Sequence, residues 1–223
     1  MTVGATADRT HLAEHSQRQN ALRDALGERA YVTAIEIAEH FPKDAGTVAS
    51  LLLTRLTLQP GEATFLGPGI IHAHLSGMCL EVMASSDNVL RAGLTNKHID
   101  RAALVQCLDN GMSRVARVNP EQHGFSTEVF SPDVEEFALS VTQCSHADDD
   151  GVELPGEGAR ILICTGGYVD VSNESGETIQ LNSGESIYAS EPDGVLRAHG
   201  IGEVAQAYTP LSDALGGRML DLH

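Results

Sequence analysis

The chain has 223 residues, of which 31 are acidic and 14 are basic, so its formal net charge is −17 at pH 7. A field of this sign repels nucleic acid and anionic membranes, so we expect neither as a partner. No stretch approaches the roughly 18 apolar residues of a membrane span, and the first residues lack the apolar run of a signal peptide, which predicts a cytoplasmic protein.

The first region, from about residue 8 to residue 53, is predicted to be helical. It is rich in Ala, Leu, Glu and Arg, and its apolar positions recur at spacings compatible with helices. Pro42 and Gly46 interrupt this pattern. Leu51–Leu53 then predicts the lead-in to a strand.

Residues 54–94 predict a strand, a turn and a second strand. Gln59–Glu62 is a turn sequence, because Pro presets φ and Gly tolerates the next position. His72 and His74 alternate with apolar residues, so in a strand they would share one face. Two imidazoles on one face can ligate a metal, or one ligates while the other contacts a substrate. Such a pair can equally cap a sheet edge or pack among polar groups, and both interpretations stay open.

A dense polar segment runs from Glu81 to Arg91. Ser85–Asn88 is a turn signature, because its side chains bond their own backbone. Arg91 follows among small and apolar residues. We expect it either to pair with Asp87 or Glu81 or to be presented to an anion.

The rest of the chain predicts a short helix followed by many strands. Asp100–Leu108 has the composition of a helix with Asp100 near its N-terminus. Beyond residue 150, short β-rich runs alternate with Gly-containing turns, which favours a double-sheet jelly roll. The predicted strands are Ile161–Cys164, Tyr168–Val171, Thr178–Leu181, Ser186–Ala189 and Val204–Tyr208.

Several motifs together resemble the type I mannose-6-phosphate isomerase family. They are LQPGEA, then His72-Ala73, then LEVMASSDNVLRAGLT with Lys97 following, preceded by HFPKDAG and LLL. Family members share a P-H-A-Y strand and an E-x-M-A-x-S-D-N-x-x-R-A-G-L-T-x-K block. The block is long, ordered and uncommon, so the similarity is highly specific.

The resemblance implies a mainly β, cupin-like fold. Cupin-like strands are expected at about residues 54–94, with a helical segment before them and a second cupin-like jelly roll at the C-terminus. The expected regions are a helical segment at 1–53, part of the catalytic cupin-like domain at 54–100, a connecting segment at 101–150 and a C-terminal cupin-like domain at 151–223.

The resemblance also implies a site and a reaction. His72 corresponds to a ligand of the catalytic zinc, and Arg91 corresponds to the active-site arginine. Glu81, Asp87 and Lys97 correspond to residues of the sugar-phosphate pocket. The implied cofactor is zinc, the implied partner is a sugar phosphate, and the implied activity is the interconversion of mannose 6-phosphate and fructose 6-phosphate.

The chain departs from the family pattern at two positions beside the metal ligand, and it lacks the family's other zinc ligands. Ile71 stands where the family has Pro, and His74 stands where it has Tyr. The family's other zinc ligands, a Q-x-H pair and a Glu, precede its helical insertion, and the sequence contains no Q-x-H. We therefore expect the downstream portion of an isomerase, as a fragment, a misplaced start or a truncated remnant, and the activity of this chain alone stays open.

Two other functions remain compatible with the sequence. A non-catalytic cupin-like binding or regulatory module would keep the fold without the metal. A metal-dependent cupin with another chemistry would use His72 and His74 together. Metal content separates the isomerase, which needs zinc once the missing half is present, from the binding or regulatory module, which needs none.

The four cysteines are scattered without C-x-x-C spacing. In a cytoplasmic protein this predicts reduced thiols, most of them buried as small hydrophobes. Cys79 and Cys164 both lie in strand-like runs, which favours burial for these two.

Overall fold

The computed structural model describes residues 27–86, 88–109, 111, 115–148 and 150–210. The chain divides into two compact units. The first unit comprises the described residues up to Gln59, then Gly67–Leu75, and then the described residues from Asn88 to Gly111. The second unit comprises Pro60–Leu66, Ser76–Ser86 and the described residues from Val115 onwards. Within these described ranges, no helix has the length and apolar character needed to cross a membrane.

The first unit is built from short helices. Residues 27–40 form α1, Gly46–Ala49 form α2, and a 3₁₀ turn at Ser50–Leu52 follows directly. Pro42 stands just beyond the end of α1, as expected for a residue that cannot continue a helix. The helical prediction is confirmed over these residues, and its part from 8 to 26 lies outside the described residues.

Helix α3 spans Arg101–Cys107 in the same unit. The carboxylate of Asp100 accepts the backbone N–H of Ala103 at 3.0 Å, which satisfies one of the open donors of the first turn. The predicted short helix with Asp100 at its N-terminus is therefore confirmed.

The first unit has little hydrophobic core of its own. Among its described residues, Ile37 is the one hydrophobic side chain that is buried. Large apolar side chains are exposed instead, and Leu52 retains 87% of its accessible surface. Polar contacts must therefore contribute much of the local order in this unit.

The predicted strand–turn–strand of residues 54–94 is wrong in the strand before the turn, because residues 53–59 are irregular and the expected lead-in at Leu51–Leu53 overlaps the 3₁₀ turn. One strand is present in the described part of this range, β1 at Ala63–Phe65, and it pairs antiparallel with β2 at Ala116–Val118. The predicted turn is confirmed, with Gly61 at φ +82°. Residues 70–75 are irregular, because a strand needs a neighbouring ladder and no described segment pairs with them.

The second unit contains an antiparallel sheet with the order β3-β4-β5-β10-β7-β8, in which β6 also pairs with β10 and β9 with β7. Its strands are β3 Glu121–His123, β4 Thr127–Phe130, β5 Ala138–Cys144, β6 Val152–Glu153, β7 Arg160–Ser172, β8 Thr178–Asn182, β9 Ser186–Ala189 and β10 Arg197–Tyr208. Three of these, β3 to β5, lie in the segment expected to be a connection. Strand residues outnumber helical residues, so the mainly β fold class is confirmed.

The strands predicted beyond residue 160 are all present, and two of them merge. Ile161–Cys164 and Tyr168–Val171 belong to one long strand, β7. Gly167 lies between them at φ +68°, and a Cβ there would stand 2.1 Å from the carbonyl oxygen of Ile201. This glycine therefore lets β7 and β10 approach through an irregular register instead of making a turn.

The hydrophobic core lies in the second unit. Leu162, Cys164 and Val169 on β7 are fully buried, and Val204 on β10 is 1% exposed. Successive side chains alternate between buried and accessible positions along β5 and the first half of β7, as one-sided packing of a sheet requires. Cys79 is exposed, which contradicts its predicted burial, and Cys164 is buried as predicted.

Candidate functional site

The predicted metal ligand lies in a loop that is fastened to the end of α3. The carbonyl oxygen of Gly69 accepts the backbone N–H of Asp109 at 3.0 Å. Gly69 has φ +80°, and a Cβ on it would meet the carbonyl oxygen of Cys107 at 2.7 Å. Only glycine allows this close approach, so the sequence Pro68-Gly69 sets the position of the histidines that follow.

His72 and His74 are neighbours within this loop. Their ring centroids are 6.1 Å apart, and the rings meet edge to face at 79°. Both side chains are exposed. The sequence predicted this proximity from a strand, whereas the structure brings the rings together without one.

The ring of His72 is held by a backbone contact. Its Nδ1 lies 3.0 Å from the carbonyl oxygen of Ile70. A carbonyl oxygen can only accept a hydrogen bond, so Nδ1 carries the proton in the neutral ring and Nε2 carries the lone pair. This tautomer suits a histidine that ligates a metal through Nε2.

Arg91 lies in the first unit, as the histidines do, in the irregular segment that begins at Asn88. Its side chain is exposed. Three residues further on, the backbone N–H of Leu94 donates to the carboxylate of Asp44 at 3.1 Å. The segment that carries Arg91 is thus tied to the turn between α1 and α2.

Lys97 lines an open cavity of about 590 Å³ in the first unit, together with His98, Ile99, Asp100 and Arg101. Its own backbone N–H donates to Oγ1 of Thr95 at 3.1 Å. The net charge of the chain is −17, so its overall field repels anions. The basic side chains of Lys97, His98 and Arg101 provide a local position where an anion can bind. His98 and Arg101 were not singled out by the sequence, although both stand within four residues of Lys97.

Of the two carboxylates predicted for the site, the structure describes one. Glu81 belongs to the second unit, where it is exposed in an irregular segment. Asp87 lies outside the described residues, so its pairing with Arg91 stays a prediction. The structure therefore groups His72, Arg91 and Lys97 in one unit and assigns Glu81 to the other.

Comparison with known proteins identifies relatives of the chain. No protein-family model matches it. The mannose-6-phosphate isomerase of Escherichia coli is 35% identical over 195 residues, which are 86% of this chain and 48% of that relative. The chain is homologous to part of mannose-6-phosphate isomerase. The resemblance inferred from the motifs is thereby confirmed.

Other mannose-6-phosphate isomerases show the same partial coverage. The human enzyme is 30% identical over 189 residues, which are 82% of this chain and 44% of the enzyme. The chain spans about half the length of the curated relatives that it matches.

Solved structures of the same enzyme agree with this fold. A mannose 6-phosphate isomerase from Salmonella typhimurium, bound to its substrate fructose 6-phosphate and to zinc, superposes with a TM-score of 0.66 at 34% identity, over 78% of this chain and 44% of that one. A variant of phosphomannose isomerase from the same organism reaches a TM-score of 0.69 over 80% of this chain and 46% of its own. At this identity the likeness extends beyond the fold to common descent.

Proposed function

We propose that the chain carries part of a zinc-dependent aldose–ketose isomerase that interconverts mannose 6-phosphate and fructose 6-phosphate. The identity of 35% to the Escherichia coli enzyme carries the proposal. The Salmonella typhimurium relative bound to fructose 6-phosphate and zinc supports the substrate and the metal. Because the match covers about half of these relatives, we define the completed protein as this chain joined to the Escherichia coli sequence outside the match.

His72 is the proposed zinc ligand of this chain. Its Nδ1–H donates to the carbonyl oxygen of Ile70, an arrangement that commonly fixes the ring of a metal-binding histidine. Its side chain is exposed at the loop surface, so further ligands can approach it. When bound, zinc would supply Lewis-acid polarisation of the carbonyl and hydroxyl oxygens of the sugar.

Arg91 is proposed to stabilise the charge that develops during isomerisation. Moving a proton between adjacent carbons passes through an enediol-like species, whose oxygen gains negative charge. A positioned guanidinium lowers the free energy of that charge. Its planar fork binds oxygen anions more specifically than an ammonium group does.

The phosphate of the substrate is proposed to contact Lys97. The cavity beside Lys97 also exposes His98 and Arg101, so several cationic or neutral donors can face a dianion there. Glu81 and Asp87 are the proposed candidates for proton transfer, because the reaction needs a positioned acid–base group. The resemblance of the LEVMASSDN block supports their assignment.

The test is turnover of mannose 6-phosphate by the zinc-loaded completed protein in a coupled assay. We expect turnover that depends on zinc and is lost in the His72→Ala variant. His199→Ala is the matched control, since this exposed histidine lies on β10 of the second unit. Absence of turnover in a folded, zinc-loaded preparation would overturn the proposed function and favour a non-catalytic binding module.

A further inference from the structure

We propose that Asp44 is a positioning residue that holds the loop carrying Arg91. The inference depends on the proposed function for the role of Arg91, and its structural part stands on the contacts of Asp44 itself. Asp44 belongs to the HFPKDAG motif, which neither the metal site nor the sugar-phosphate pocket explains.

The carboxylate of Asp44 joins two distant segments of the first unit. One oxygen, Oδ1, accepts the backbone N–H of Gly46 at 2.7 Å. The other, Oδ2, accepts the backbone N–H of Leu94 at 3.1 Å, across 50 residues of sequence. Hydrogen bonds to an ionised acceptor are stronger than those between neutral groups, so this junction fixes the Leu94 backbone relative to the α1–α2 turn.

Two glycines let the segments approach closely enough for these bonds. A Cβ on Gly93 would stand 2.9 Å from Oδ1 of Asp44 and 3.3 Å from the Cα of Gly46. A Cβ on Gly46 would meet Oδ1 of Asp44 and Cδ2 of Leu94, each at 2.9 Å. The backbones are therefore in contact on both sides of the carboxylate, and larger residues would displace it.

Backbone strain is concentrated at the same junction. In the part of the chain that the structure describes, the non-glycine residues with positive φ are Lys43, at +73°, and Leu94, at +53°. Residues with a Cβ rarely adopt positive φ, and they keep it only where the surrounding structure fixes the backbone. Asp44 directly follows Lys43 in the chain, and its carboxylate accepts the backbone N–H of Leu94.

The hydrophobic core cannot replace this polar junction. Ile37 is the one buried hydrophobic residue among the described residues of the first unit. Leu90, which precedes Arg91, is exposed. Since no hydrophobic side chain of residues 88–94 is buried, we expect the bond made at Leu94 to set the position of the segment that carries Arg91.

Loss of the Asp44 carboxylate would affect the reaction through the position of Arg91. A shift of about 1 Å in a charge-stabilising group can lower the rate about a hundredfold. Loss of the Asp44 carboxylate leaves Arg91 chemically unchanged but frees the backbone three residues away. We therefore expect lower kcat for each folded molecule, with a smaller change in KM.

The first measurement uses the full chain and needs no activity. Hydrogen exchange of the Leu94 amide, followed by NMR, is compared among wild type, Asp44→Asn and Asp44→Ala. We expect exchange to rise about tenfold or more in Asp44→Ala, as befits loss of a hydrogen bond to a charged acceptor. Asp44→Asn should lie between, because its amide oxygen can accept one of the two N–H groups.

The second measurement determines kcat and KM of the zinc-loaded completed protein. The expected order of kcat is wild type, then Asp44→Asn, then Asp44→Ala, with a total loss of about tenfold to a hundredfold. Asp148→Asn is the matched control, because this half-buried aspartate also accepts a backbone N–H, from Ser145 at 3.0 Å, but lies in the second unit. Its kcat should equal that of wild type.

The outcomes separate the inference from the proposed function. Unchanged Leu94 exchange in Asp44→Ala, or unchanged kcat per folded molecule, overturns the positioning role. A wild-type completed protein without turnover overturns the proposed function instead, even where Leu94 exchange has responded as expected. A loss of melting temperature alone, with kcat and exchange unaltered, shows that Asp44 acts only in stability and rejects the inference.

Discussion

Thr127 and Thr142 share a buried hydrogen bond between their hydroxyl groups, with the oxygens 2.9 Å apart. They face each other across β4 and β5, and both side chains are fully buried. A polar pair at this depth is stable only while each hydroxyl satisfies the other.

Thr142→Val should therefore lower the free energy of unfolding by about 1–3 kcal/mol, because Thr127 is left with an unsatisfied buried hydroxyl. The double variant with Val at both positions should recover most of the loss, since neither desolvated hydroxyl remains. Urea unfolding of the full chain measures both. A double variant that is less stable than Thr142→Val would contradict this account.

His72→Ala should remove most of the zinc from the completed protein, because a catalytic zinc site has about three protein ligands and tolerates the loss of one poorly. Elemental analysis after dialysis measures the metal. His74→Ala is the informative comparison, since its ring centroid lies 6.1 Å from that of His72. Equal loss in both variants would favour a site that uses the two histidines together, and unchanged zinc in His72→Ala would show that it is not a ligand.

Arg91→Lys should lower turnover while leaving the melting temperature nearly unchanged. The substitution keeps the positive charge and loses the planar fork that stabilises an oxygen anion. Turnover and melting temperature are measured on the same zinc-loaded preparation of the completed protein. A clear loss of stability with normal turnover would instead assign Arg91 to a structural bridge with Asp87.

The stability of the second unit should fall as the pH rises from about 8.5 to about 11. Burial, followed by the charges of Asp148 and Cys164, raises the pKa of the Cys144 thiol to about 11, whereas an unfolded cysteine ionises near pH 8.5. Because the pKa is higher in the folded state, its stabilising contribution is complete below about pH 8.5 and is lost as the pH approaches 11.

Urea midpoints across this pH range test the contribution of Cys144. Cys144→Ala should flatten the pH dependence relative to wild type, and Cys79→Ala should not, because Cys79 is exposed. The difference between wild type and each variant removes the contributions of other alkaline groups, including Tyr208, whose pKa burial also raises. Equal pH dependence in both variants would reject the assignment.

Local patterns in the amino-acid sequence were enough to recognise the homology, the strands beyond residue 160 and helix α3. The block from Glu81 to Lys97 identified the relatives because its order of residues is uncommon. The strands beyond residue 160 followed from short β-rich runs between glycine-containing turns, and α3 followed from Asp100, since caps act within three residues. These signals are local, so no knowledge of the fold was needed to use them.

The predicted site residues are held by contacts that form only in the folded chain. Strand alternation placed His72 and His74 on a sheet, whereas a contact between Gly69 and Asp109 holds them in a loop. The bond between Asp44 and Leu94 spans 50 residues, and nothing near either residue specifies the other. Such a contact exists because folding brings two tight glycine-containing turns together, and that proximity is a property of the packed chain that no local pattern of residues encodes.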